Sequence, residues 1–337
     1  MHIELIPYQL QLKHTFGISR EAYDVQDTLI VALTIDGLTG YGETTANPYY
    51  NITTDGMIEA IRAVTPDITS HTATSPEHFH KHLVSLKLPN FAICALDMAY
   101  HDLTGRRLNK PLYELWRQDV SVYPSTNYTI GLDSVETMIA KIHEKPWPIY
   151  KIKLGTAHDL GIVKALRKIT DAVFRVDANC GWSAAETIKN SFALKALGVE
   201  FIEQPLEAGN WEGMKKVAAE SALPVMADES CIVEDDVEKC NGYFSGINIK
   251  LTKCGGLTPA RRMIKKARRL GLKVMAGCMT ESTVGISALA QLLPELDYVD
   301  MDGALLLKHD IADGVKILDN AEVVFPSLPG TGVTLRL

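Results

Sequence analysis

Three acids close successive apolar runs: Asp177 in RVDAN, Glu203 in FIEQP and Asp228 in MADES. If each run is a strand, each carboxylate stands at a strand end, and neighbouring strands bring the three together. Converging anions repel and raise one another's pKa unless a cation sits among them, and an all-oxygen donor set suits Mg²⁺ or Mn²⁺. Taken singly, each acid reads as a strand-end cap or a solvated loop residue; three in register on consecutive units weaken that reading. Lysines accompany them. Lys151 and Lys153 in YKIKLG lie two apart, so on a strand they share one face while Ile152 and Leu154 take the other. Lys250 in INIKL repeats the alternation. An ammonium taken out of water costs several kcal/mol unless an anion compensates it, so these lysines are either solvated at an edge or used.

The elements that must position these groups form a repeat. Residues 153, 177, 203, 228, 250, 278 and 300 lie near the ends of seven β-branched runs at intervals of 22 to 28, with helical stretches such as GIVKALRKITDA and LTPARRMIKKARRLG between them. That period suits a strand, loop, helix, loop unit. Eight such runs, from VSVYPS to DYVDMDG, fit a closed parallel barrel, whose site residues stand at the C-terminal ends of nearly every strand; an open doubly wound sheet would gather them at one switch point. In barrel order Lys153 and Lys250 face each other across the mouth. No G-x-G-x-x-G follows the first strand of either part, which argues against a dinucleotide. The first third has another rhythm: strands IELIPYQLQL and TLIVALTIDG, then the helical FAICALDMAYHDLTGRRL, an α+β unit.

With 337 residues and 46% apolar content the chain has ample material for a core. A net charge of −7 without a Lys/Arg block argues against nucleic acid or an anionic membrane as partner and favours a small molecule. MHIELIPYQLQLKHTF alternates like a strand and lacks the features of a signal peptide, and no apolar run reaches the roughly 18 residues of a membrane helix. Six cysteines without C-x-x-C pairs read as reduced, cytoplasmic thiols.

ALDMAYHDLTGRRLNKPLYELW, followed in order by YKIKLG, RVDANCGW, IEQPL, ADES and NIKLTKCGGL, resembles the muconate-lactonizing group of the enolase superfamily over nearly the whole chain. The resemblance implies an α/β architecture. Residues 1–118 form an N-terminal α+β capping domain, residues 119–318 a modified TIM barrel, (β/α)7β, and residues 319–337 a C-terminal segment packing back on the capping domain. It implies one Mg²⁺ per subunit on Asp177, Glu203 and Asp228, with Mn²⁺ as the alternative, and a homo-oligomer. Lys153 and Lys250 become acid/bases, and Lys151 holds the substrate carboxylate and lowers the pKa of Lys153. Asn179 and Glu229 stand behind the metal ligands. The mandelate-racemase group uses a histidine from the seventh strand, but KVMAGCMTES has none. The chemistry explains the residue types. Removing a proton α to a carboxylate gives a dianionic enediolate that needs a preplaced cation and ammonium groups. A free lysine is neutral in roughly one molecule in 2,500 at pH 7, so the base must be tuned by nearby positive charge. Two lysines on opposite faces of such an intermediate imply 1,1-proton transfer.

Asp300 and Asp302 in YVDMDG share one face of the last strand, with no spare lysine read beside them, and so suit a substrate ammonium. Their D-x-D pattern resembles that of dipeptide epimerases, where the pair holds the α-ammonium of a dipeptide whose C-terminal residue is inverted; L-Ala-D/L-Glu and murein peptide salvage follow as expectations. Arg20 in HTFGISREAY would reach over the mouth to an acidic side chain, or is simply solvated. Tyr49 and Tyr50 are a second capping-loop candidate. Thr129 in NYTIG, on the first barrel strand, reads equally as a ligand contact or as core. His78, His80 and His82 in EHFHKH read as a surface or helical feature, because i, i+2, i+4 histidines converge only on a strand.

Other enzymes remain open on this scaffold: an o-succinylbenzoate synthase or a muconate-type cycloisomerase, neither of which needs the Asp300 and Asp302 pair for an ammonium. A Schiff-base aldolase would use a strand lysine without needing the three acids. A non-catalytic barrel should have lost one of the five central residues, and all five are present.

Overall fold

The computed structural model of the chain describes residues 1–18 and 21–336. β1 (His2–Gly17) and β2 (Ala22–Ile35) pair antiparallel, with an irregularity between Gln11 and Phe16, and β3 (Leu38–Thr45) continues the sheet on β2. Period-two alternation sends Leu29, Val31 and Leu33 to one face, where they pack with residues of α1 (Thr54–Ser70), α2 (Pro76–Ser85) and α3 (Asn90–Arg107). Thr53 and Ser75 cap the first two helices by accepting N–H bonds from Gly56 and His78. β3 lies so close to α3 that a Cβ on Gly42 would stand 2.0 Å from the Ala95 carbonyl oxygen.

After the single turn of α4 (Leu112–Leu115) come eight parallel strands: β4 (Tyr128–Ile130), β5 (Ile149–Lys153), β6 (Val173–Asp177), β7 (Val199–Glu203), β8 (Val225–Ala227), β9 (Gly246–Lys250), β10 (Lys273–Gly277) and β11 (Tyr298–Asp300). Each pairs with the next in sequence, and a parallel bridge between Thr126 and Val299 links the two ends of the sheet. The intervening helices are α5 (Val135–Glu144), α6 (Asp159–Arg167), α7 (Ala184–Ala196), α8 (Trp211–Glu220), α9 (Asp236–Cys240), α11 (Leu257–Arg269) and α12 (Thr283–Ala290). One extra turn, α10 (Leu251–Cys254), follows β9 directly. This is a (β/α)7β barrel under an N-terminal α+β sheet-and-helix unit. The strands are buried on both faces, as parallel strands covered by helices must be.

Register puts the chemistry on one level. Lys153 pairs with Asp177 and Asp177 with Glu203; across the barrel Lys250 and Asp300 both pair with Gly277. Short pairs β12 (Ala312–Asp313) with β15 (Thr334–Leu335), and β13 (Lys316–Ile317) with β14 (Val323–Val324), finish the chain. Thr331 N–H donates to Asp102 Oδ1 on α3 at 2.7 Å, and Leu112 N–H to the Gly330 carbonyl at 2.9 Å.

One local reading changes, and the helical reading of EHFHKH is borne out. VSVYPS forms no strand: the barrel opens at Tyr128, and Val122 is 72% exposed. EHFHKH is part of α2, so His78 and His82 share a helical face with the His71 ring, which stacks on His82 at 3.8 Å, while His80 is buried. Among the described residues no helix is long and apolar enough to cross a membrane, and the six cysteines are free thiols.

Candidate active site

Each of the three strand-end acids has one oxygen held from behind and the other presented to the barrel mouth. Asp177 Oδ1 accepts the Asn179 N–H at 2.9 Å, while Oδ2 accepts Lys153 Nζ at 2.7 Å and lies 3.1 Å from Lys151 Nζ. Glu203 Oε1 accepts the Asn248 side-chain amide at 2.8 Å; Oε2 lies 2.8 Å from Lys151 Nζ, an ion-pair distance, but makes no well-aligned hydrogen bond. Asp228 Oδ1 accepts Lys253 Nζ at 2.5 Å, and Oδ2 lies 3.0 Å from Lys250 Nζ. Positive φ at Asn179, Cys180 and Gln204 turns the backbone sharply after the first two acids. Gln204 then reaches β8's end, its Oε1 accepting the N–H groups of Asp228 and Ser230. Gly277 leaves room for Asn248: a Cβ there would stand 2.7 Å from Asn248 Oδ1.

One oxygen of each acid lies within 4.8 Å of the others, all three residues buried. Burial and mutual repulsion push Glu203 up to about 7 against the pull of Lys151 and Lys250. Burial would also raise Asp177 and Asp228, but Lys153 and Lys151 hold the first low, and Lys250 and Lys253 the second. A buried carboxylate oxygen without a hydrogen bond, in an all-carboxylate set, fits a hard divalent cation such as Mg²⁺.

The lysines sit as the strands dictate. Lys153 at the end of β5 and Lys250 at the end of β9 are four barrel strands apart and line one cavity of about 240 Å³. Burial opposes charge on Lys250, but Asp228 outweighs it and raises the amine above the ordinary lysine value. Lys151 behaves alike: against burial, Asp300, Glu203 and Asp177 raise it well above that value.

Asp300 and Asp302 are close together, but Asp300 is not free of lysine. Its Oδ2 lies 2.8 Å from Lys151 Nζ and its Oδ1 accepts the Asn127 amide at 2.7 Å, which overturns the expectation that no lysine stands beside the pair. Lys151 lies one level below Lys153 and reaches past β4 to β11, its next-but-one neighbour in the closed barrel, a contact between strands far apart in sequence. Asp302 accepts the Thr129 N–H at 2.5 Å and is pushed up to about 8 by burial and by Asp300. Beneath them, Arg175 bonds Asn127 Oδ1 at 3.4 Å and Glu200 Oε2 at 2.8 Å, extending the ion chain to the barrel's other end.

The cavity also takes in Thr129, Asn179 and Glu229 from the barrel, and Phe16, Glu21, Tyr23, Asn47, Tyr49 and Tyr50 from the first domain. Tyr23 OH is 3.0 Å from the Thr280 hydroxyl. Arg20 lies outside the described residues. Groups that sequence reasoning missed are Lys253, Asn127, and the buried acids Glu43 and Glu281 at the interface. Glu43 accepts from Ser282 N–H and hydroxyl and from Gly285 N–H; Glu281 Oε1 accepts from Met279 N–H. The one available signal for Lys253 was its place three residues after Lys250 in NIKLTKCGG.

A parallel barrel with acids and lysines at its strand ends, roofed by an α+β domain, defines an enolase-like protein. Residues 134–337 match the enolase C-terminal domain-like model and residues 3–116 the mandelate racemase / muconate lactonizing enzyme N-terminal domain, and the chain belongs to that family. It is 64% identical to the L-Ala-D/L-amino acid epimerase of Maribacter sp. over the full length of both chains. Among solved structures it is similar to the substrate-liganded L-Ala-D/L-Glu epimerase of Bacillus subtilis, with a TM-score of 0.93 and 27% identity, covering 99% of this chain and 98% of that one. It is also similar to the dipeptide epimerase of Enterococcus faecalis complexed with Mg and L-Leu-L-Tyr, with a TM-score of 0.91, 29% identity and 98% coverage of both.

Proposed function

We propose that the protein is a Mg²⁺-dependent dipeptide epimerase that inverts the C-terminal residue of an L-Ala-containing dipeptide by 1,1-proton transfer. The observation that carries this is the pairing of Lys153 with Asp177 and of Lys250 with Asp228 on opposite sides of one cavity. In this reading Asp177, Glu203 and Asp228 hold the ion, which when bound supplies fixed positive charge for the carboxylate of the inverted residue. Lys153, as the neutral amine, takes the α-proton from one face of the substrate. Lys250, as the ammonium, returns a proton to the other face, and the roles exchange in the reverse direction. Lys151 remains charged and steadies the carboxylate. Asp302, with Asp300, receives the dipeptide's ammonium, and Thr129 holds Asp302 in place.

Residues 1–118 shape the pocket for the inverted side chain, residues 119–318 carry the chemistry, and residues 319–337 tie the two together through contacts such as that of Thr331 with Asp102. Arg20 keeps its proposed pairing with an acidic side chain, and an L-Ala-D/L-Glu substrate would place the enzyme in murein peptide salvage. The six free thiols favour the reducing cytoplasm. A homo-oligomer in solution is tested by light scattering.

The test of the whole reading is incubation with a panel of L-Ala dipeptides and Mg²⁺ in D₂O, followed by mass spectrometry and chiral separation. One deuterium at the α-carbon of the C-terminal residue, together with its epimer, is expected. A panel showing no exchange sinks the proposal.

A further inference from the structure

Lys253 is buried to 1% exposure, and its ammonium is surrounded by protein oxygens: Asp228 Oδ1 at 2.5 Å, the Asp228 carbonyl at 2.6 Å, the Cys231 carbonyl at 3.1 Å and the Asn248 carbonyl at 3.4 Å. Three ammonium protons serve the three nearest acceptors, so no donor is left for a substrate. Two of the contacts go to one residue, through its carboxylate and its own carbonyl, which fixes both the backbone and the side-chain torsion of Asp228. The three acids are thus oriented by different means. Lysines reach the mouth-side oxygen of all three, but the rear oxygen of Asp177 is held by a backbone N–H and that of Glu203 by a side-chain amide, both neutral, whereas the rear oxygen of Asp228 is held by a charge. A charge-assisted bond is roughly twice as strong as a neutral one. Asp228 also needs it most, because it lies one residue beyond the last ladder position of β8, at Ala227.

We propose that Lys253 is a positioning residue of the metal centre: it occupies Oδ1 of Asp228 so that the residue offers the ion a single oxygen, Oδ2, in fixed direction. The position of α10 makes this possible. β9 ends with Lys250 at the mouth, and the turn that begins at Leu251 brings Lys253 back to Asp228, so one short segment supplies an acid/base and a clamp for the acid it pairs with. The inference rests on the metal site of the proposed function.

The experiment is isothermal titration of Mg²⁺ into the metal-stripped wild type and Lys253→Met without dipeptide, with thermal melts and steady-state kinetics alongside. A loss of a partner behind a ligand typically costs about 10–100-fold in metal affinity, and that weakening is expected for Lys253→Met. Because Lys253 touches no substrate, kcat should return toward the wild-type value at saturating Mg²⁺. Lys253→Gln, whose amide still donates to a carboxylate, should recover part of the affinity, and it serves as the readout if the methionine variant does not fold. Wild-type affinity in a folded Lys253 variant, or a kcat that stays low at saturating Mg²⁺, overturns the proposal. Absence of Mg²⁺ binding to the wild type would instead overturn the functional reading on which it rests.

Discussion

Lys153 donates to Asp177 Oδ2 at 2.7 Å, and the two residues are register partners at the ends of adjacent strands. The acid that would hold the ion thereby also fixes the amine that would take the proton; Asp228 likewise holds Lys250, at 3.0 Å, but from one residue beyond the β8 ladder. Lys153 and Lys250, the proposed acid/bases, are each the last ladder position of their strand.

Replacing either lysine should separate exchange from inversion. Lys153→Ala and Lys250→Ala are each expected to lose epimerisation by about 10²–10⁴-fold, the usual contribution of a positioned acid or base. In D₂O, Lys250→Ala should still exchange the α-proton of the epimer that faces Lys153, and Lys153→Ala that of the other. Exchange of both epimers at wild-type rates in either variant would contradict a mechanism with one amine per face.

Metal removal should be visible without turnover. A ligand that binds only the folded state stabilises it by about 2.7 kcal/mol at a hundred times its Kd. Saturating Mg²⁺ should therefore raise the melting temperature of the EDTA-treated protein, and Glu203→Gln should abolish the rise. An identical melt with and without the ion would count against the site.

Glu281 sets a pH dependence of stability. Burial, and then Glu43, push its carboxyl up to about 8 from the ordinary 4.5. Between those values the folded chain keeps a proton that the unfolded chain releases. Stability from this group therefore falls as pH rises from about 4.5 toward 8, and the penalty is complete above 8. Glu281→Gln keeps an acceptor for Met279 N–H and cannot ionise. Chemical denaturation should find this variant gaining on the wild type as pH rises, by a few kcal/mol at pH 9 on the scale of about 1.4 kcal/mol per unit. A difference independent of pH would show that Glu281 is already ionised.

If Asp302 receives the dipeptide's ammonium as proposed, binding is linked to proton release. It is pushed up to about 8, so near neutral pH it is protonated in the free protein. An arriving ammonium favours the anion, so dipeptide affinity should rise with pH toward 8 and binding should expel a proton. Calorimetry in buffers of different ionisation enthalpy measures that proton. Asp302→Asn should eliminate it and weaken kcat/KM, and an N-acetylated dipeptide should bind without it.

The strand-end acids and Lys153 and Lys250 were legible because a barrel repeats, and period-two alternation marks which face each side chain takes. Contacts between units carry no such mark. The pairing of Lys151 with Asp300 joins positions 149 residues apart, and nothing in YKIKLG announces its partner. Lys253 lies on a helical turn outside the alternation, so it read as an ordinary continuation of the motif. Glu43 and Glu281 meet only because the first domain docks on α12, an interface that neither segment encodes alone. VSVYPS has strand composition, but the first ladder hydrogen bonds form from Thr126 and Tyr128 onward, and composition cannot override that pairing.

The Glu200, Arg175, Asn127, Asp300 and Lys151 chain runs the length of the barrel interior, from a half-exposed acid at one opening to the pocket at the other. Bulky branched apolar residues dominate the interior layers of such barrels; here polar contacts join floor to rim. A substitution at Glu200, remote from the pocket, therefore has a bonded route to Asp300 through Arg175 and Asn127.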